Sequence, residues 1–224
     1  MSRWEELLSE LRSVVFSRSR WLDSILPPII FLILNSLWAY QTAIAGALLA
    51  AVLIGLYRIM RKEPLRYAFG GAGGVLVAGL LARFVGSAQG YFLPGIISGA
   101  FTAALCVISI LARRPLVAWT SYITRRWPLE WYWHPQVRPA YSEVTIAWAV
   151  FFGARFLLQL TLFQQQAAGT LGIVQLITGW PALIILLIIS YLYGMWRLQN
   201  LQGPSVEEFN THANPPWQGQ KRGF

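Results

Sequence analysis

Arg83 and Arg155 are the two ionisable side chains that fall well inside apolar stretches of this sequence. Charge held at bilayer depth is costly, so it marks a binding or transport role by default. A guanidinium presents a planar fork of N–H donors, which suits a phosphate, a carboxylate or another small anion. Gln159 stands one helical turn beyond Arg155 and shares its face. At about 1.5 Å per residue, Arg83 lies about 24 Å along a helix that starts at Tyr67, and Arg155 about 16 Å along its own. That puts Arg83 near the outer face and Arg155 near the midplane. An outward-reaching Arg155 would approach Arg83, and Gln89, Tyr91 and Gln164 would complete a polar pocket on the outer side. Each arginine also has a plainer reading. Arg83 can snorkel to the outer interface, and Arg155 can bond to neighbouring helices. No Asp or Glu falls within the expected spans, which argues against a carboxylate proton relay. The partners left for the arginines are backbone carbonyls, water or an anionic ligand such as a lipid phosphate.

Other chemistry has little to stand on. There is no membrane-facing Ser/His/acid set and no pair of catalytic carboxylates, so a non-enzymatic protein is expected. His134 and His212 are isolated and make no metal site, and no cofactor is expected. Cys106 is the single cysteine, which excludes an intrachain disulfide and reads as inert packing within a helix. The glycines of residues 70–79 follow no strand and form no phosphate-binding fingerprint.

The elements that must position these groups follow from apolar length. The chain has 224 residues, 56% hydrophobic and 12% charged, too apolar for a soluble core of this size. A bilayer core of about 30 Å takes about 20 helical residues. The expected fold is an all-α, polytopic membrane bundle with six transmembrane helices at 24–40, 42–60, 67–85, 92–112, 144–163 and 171–196. The first two divide a long uncharged run at Tyr40-Gln41-Thr42, with a span plus re-entrant hairpin as the other solution. Pro27-Pro28 and Pro94 open helices, and Pro181 should kink the last one. Leu26–Ile30 and Leu93–Ile97 look alike and enter from opposite sides, as an inverted repeat would; chance similarity between apolar helix starts explains them as simply. Gly70 and Gly74 are spaced for close helix approach within the bundle or between two copies of the chain.

Basic residues orient the bundle. Of the 18 Lys and Arg, all but Arg83 and Arg155 fall on one side of a six-span topology. The positive-inside rule makes that side, and both termini, cytoplasmic in an inner membrane. The net charge of +9 is thereby explained without nucleic acid, and it favours anionic lipid headgroups instead. No cleavable signal peptide is expected.

Three segments lie outside the spans. Residues 1–21 carry Trp4, Leu7, Leu8, Leu11, Val14 and Val15 at helical spacing, an amphipathic segment for the interface, for the protein's own loops or for a membrane-complex partner. Residues 113–143 hold Trp119, Trp127, Trp131 and Trp133 among arginines and prolines, which reads as a loop moored at the inner interface, or as a ring-lined cytoplasmic cleft. Residues 198–224 are polar and proline-bearing and are expected to be disordered.

Several motifs together carry a resemblance. They are Arg61-Lys62-Glu63-Pro64, Phe92-Leu93-Pro94-Gly95, Ser109-Ile110-Leu111, Pro115-Leu116-Val117 and the Arg155/Gln159 pair. Over roughly residues 22–197 the chain resembles a bacterial membrane family, domain of unknown function 3159. The resemblance implies a plasma-membrane protein and no particular activity. The 119–133 segment and the tail depart from the family. Two functions stand: a structural or accessory membrane protein, and a transporter or lipid-handling protein binding an anion at Arg83, Arg155 and Gln159.

Overall fold

The computed structural model describes residues 20–60 and 65–224, with backbone alone for 20–25, 58 and 65–72. Trp4 and all but the last two residues of the amphipathic segment 1–21 lie outside the described residues, as does the motif at 61–64. Every regular element among the described residues is helical: α1 (Arg20–Leu37), α2 (Tyr40–Met60), α3 (Leu65–Val85), a 3-10 turn (Ala88–Phe92), α4 (Leu93–Leu111), α5 (Leu116–Arg125), α6 (Leu129–Tyr132), α7 (Arg138–Gln164), α8 (Ala168–Ile177), α9 (Trp180–Leu201) and α10 (Val206–Asn210). Among the described residues four stretches are long and apolar enough to cross a membrane: Tyr40–Tyr57, Ala88–Leu111, Arg138–Gln164 and Ala168–Leu201. Leu26–Leu37 and Gly73–Val85 are apolar but shorter.

The long first apolar run does divide, at Trp38–Ala39, two residues before the expected turn. Thr42 holds the new start by donating from its N–H and its hydroxyl to the Ala39 carbonyl, at 3.0 and 2.6 Å. Pro27 and Pro28 fall inside α1 rather than opening it, because the helix begins at Arg20. The last expected span is not one kinked helix. It is interrupted at Thr178–Gly179, and Pro181 is the second residue of α9. Proline cannot continue a helix's hydrogen-bond ladder but fits a first turn, so the chain breaks upstream and restarts around it.

The chain forms two compact units. The first comprises residues up to Ile97 together with Leu158–Trp180. Its helices approach through small side chains. Ala43, Ala47 and Ala51 form a buried row one turn apart on α2. Gly46 faces Leu34 of α1, Gly79 of α3 faces Ile44, and Gly172 of α8 faces Leu32 and Phe92. Among the described glycines of α3 the close approach is made at Gly79 rather than at Gly74. An added Cβ at Gly74 meets nothing within 4 Å, whereas one at Gly79 would stand 2.8 Å from Ile44. Gly86, at φ +74°, ends α3 by turning left-handed, and Ser87 N–H then closes onto the Ala82 carbonyl at 3.1 Å. Phe31 and Tyr91 stack in parallel at 4.0 Å next to this turn, with Phe92 edge-on to both.

The second unit comprises Ser98–Leu157 and Pro181–Phe224. Its core is the aromatic segment itself: Val117, Ala118, Trp131, Tyr132, Val137, Ala140, Tyr141, Val144 and Leu198 are all buried. α7 begins at Arg138, six residues before the expected start, which brings Glu143 into the helix. There it forms a two-pronged pair with Arg197 of α9. Arg197 Nε donates to Oε2 at 2.8 Å and Nη2 to Oε1 at 2.9 Å, and the Tyr193 hydroxyl donates to Oε2 at 2.8 Å. The tail is a correction to the expectation of disorder. Residues 203–224 fold onto the aromatic core, where Val206, Phe209 and Phe224 pack. Apolar side chains spaced along a polar segment supply the burial that its composition conceals.

Candidate functional site: intramembrane polar groups and the aromatic layer

Arg83 closes the last turn of α3 and is exposed, which fits the snorkelling reading. It belongs to the first unit and Arg155 to the second. Arg155 is half-buried, and its Nε is shielded with no hydrogen-bond partner. Gln159 is fully buried. Its amide nitrogen donates to the Thr178 hydroxyl at 3.4 Å, and that hydroxyl donates in turn to the Val174 carbonyl at 2.7 Å. Since the hydroxyl proton is committed to Val174, the atom facing Thr178 must be the amide donor. The unpaired atom of Gln159 is therefore its carbonyl oxygen.

Gln175, on the same face of α8 as Thr178, also has a buried carbonyl oxygen with no partner. Its amide lies against Gly95, where an added Cβ would overlap it. Gln175 and Thr178 were not singled out by sequence reasoning. Their signal was two polar residues three apart just ahead of Gly179 and Pro181. The other expected members of the pocket divide. Gln89 and Tyr91 are buried, with Tyr91 engaged on Phe31, while Gln164 is exposed.

The four tryptophans of residues 113–143 do come together, but not all as interface anchors. Trp131 has zero exposure, and its indole N–H donates to the Pro204 carbonyl at 2.8 Å. It is a core residue, which corrects the interfacial assignment. The indole ring is large enough to fill the layer, and its one polar atom finds a partner in the tail. Trp127 packs edge-on to Trp131 at 5.3 Å with the Arg125 guanidinium over its ring at 5.0 Å. Trp133 lies 5.8 Å from Trp119 and carries Arg114 at 4.4 Å. Trp119 is exposed, one turn from the exposed Ile123, on the side of α5 away from its buried Val117, Ala118 and Ser121. Tyr132 takes a hydrogen bond with Ser121 at 3.2 Å, and burial pushes its phenol above the ordinary value.

The tail is tied down by a capping box. Ser205 accepts from Glu208 N–H at 3.2 Å, and Glu208 accepts from Ser205 N–H at 2.8 Å and from Gln218 N–H at 2.7 Å. These backbone donors, Gln218 first, hold the Glu208 carboxyl below its usual range. Burial against the tail holds His134 below its own, with Trp217 at 5.3 Å from its ring. Both depressed values mean stability present at neutral pH and lost on acidification. Protection of residues 203–220 from hydrogen exchange should fall in two steps, first below the ordinary histidine range, then below the ordinary carboxylate range. Unchanged protection in mild acid would show that neither group holds the tail. Among the described residues no group of three or more His, Cys, Asp or Glu is placed to hold a metal ion.

An all-helical fold with several helices apolar enough for a bilayer defines a membrane protein. Within that class, the model of the family described as protein of unknown function (DUF3159) matches residues 18–198. The chain belongs to that family. No curated protein and no solved structure matches it.

Proposed function

We propose that the chain is a six-span plasma-membrane protein with both ends cytoplasmic, which carries out no catalysis and acts as a structural or accessory component at the inner leaflet. The observation that supports this best is the two-sided packing of α5. Val117, Ala118 and Ser121 are buried in the aromatic layer, while Trp119 and Ile123 are exposed on the other side. Exposed Arg113, Arg114 and Arg126 flank that helix, where they meet anionic headgroups. The layer thus rides on the membrane through Trp119 and Ile123, with Trp131 inside it. In reconstituted protein, lipids brominated near the headgroup should quench a part of the tryptophan fluorescence that Trp119→Phe removes. Quenching unaltered by that substitution would sink the mooring.

A second reading has its own observation. The shielded, unpartnered Nε of Arg155 is a donor and a charge at bilayer depth, and an anionic ligand or lipid phosphate would satisfy both. Gently purified wild type should retain an anionic species in native mass spectrometry that Arg155→Gln loses. The same lipids on both proteins would make Arg155 structural. Arg83, exposed at its helix end, should not alter that result.

A further inference from the structure

The seat of Phe224 is built more closely than an anchoring contact requires. Its ring lies parallel to Tyr141 at 4.4 Å and 7°. On α9 it meets Gly194, where any Cβ would stand 2.3 Å from the ring. The slot therefore exists only because position 194 has no side chain. A main-chain oxygen of Phe224 accepts from Arg125 Nε at 3.1 Å, so the main chain is read as well as the ring. Gly223 precedes it at φ +75°, and a Cβ there would fall 2.7 Å from the Arg125 guanidinium and 2.8 Å from Trp127. Only glycine suits both the backbone angle and the space.

We infer that this slot is a recognition site for a polypeptide segment in which glycine precedes an aromatic residue, kept shut by the chain's own Gly223–Phe224. The features it reads are a glycine, a flat ring and a main-chain oxygen acceptor, which together are peptide chemistry. Arg125, Trp127, Tyr141 and Gly194 all lie within residues 18–198 that the family model matches, whereas the occupant lies beyond them. The plug is carried on an exposed stretch, residues 211–216, which gives it slack to leave its seat. While it stays, its tethering gives it a large advantage over any free segment.

The test uses the full chain in detergent micelles and an amidated, fluorescently labelled peptide copying residues 218–224. The Phe224→Ala protein, with its slot vacated, should bind the peptide saturably and at least tenfold more tightly than wild type does. A peptide with alanine in place of its phenylalanine should not bind. Gly194→Ala added to Phe224→Ala should abolish binding; if that pair does not fold, Arg125→Gln added to Phe224→Ala should weaken binding tenfold. Equal binding to wild type and Phe224→Ala, equal binding of the alanine peptide, or no binding at all would each overturn the proposal.

Discussion

Trp131→Ala should lower the stability of the protein by about 3–5 kcal/mol, as large aromatic truncations in a packed core do. Trp131 has no exposed surface and is packed against Trp127, Tyr132 and Tyr141, at 5.3, 5.1 and 6.2 Å between ring centres. These neighbours are rigid rings, so the space cannot collapse and a cavity remains. The substitution also frees the Pro204 carbonyl, which is buried and accepts only from the indole N–H among the bonds seen here. Trp131→Phe separates the two effects. It keeps most of the ring and loses the hydrogen bond, so it should cost about 1–3 kcal/mol. Thermal unfolding in detergent reads the stability, and proteolysis of residues 203–224 reads the tail. Release of the tail in both variants, with the larger melting shift in Trp131→Ala, is the expected pattern. A Trp131→Ala protein that melts with the wild type would mean the aromatic layer does not hold this unit together.

Gln159→Leu should move stability the other way. Gln159 is fully buried with an unpaired carbonyl oxygen, and its one hydrogen bond, to Thr178, is long at 3.4 Å. An unsatisfied buried polar group costs about 1–3 kcal/mol, while a hydrogen bond between membrane helices is worth about 0.6 kcal/mol on average. Leucine is close in volume and carries no polar atom, so a rise of about 1–2 kcal/mol is expected from the balance of those terms. If Gln159→Leu raises the melting temperature and weakens retention of a bound species, Gln159 is a ligand-facing group. A fall in melting temperature would show instead that its oxygen is engaged in holding α7 to α8.

Much of this was legible in the residues. Helical class, the apolar segments and the division of the first long run all follow from composition, period and spacing. These are properties of short windows, because a helix satisfies its own backbone and a bilayer reads only length and polarity. The place of Arg155 within a long apolar helix and its shared face with Gln159 likewise follow from counting residues. What needed the tertiary structure is everything decided by distant partners. Trp131 and Trp119 are the same residue type twelve positions apart in one aromatic segment, yet one is core and the other surface. Nothing local distinguishes them; the tail's Pro204 does, 73 residues further along. The tail's composition reads as disorder because its anchors, Val206, Phe209 and Phe224, are few and scattered, and only the layer they meet makes them sufficient. Gly194 looks like any glycine in an apolar helix until Phe224 is laid against it. Local pattern determines which segments are helical and which can enter lipid, whereas burial is a property of pairs, and pairs far apart in sequence exist only once the chain has folded.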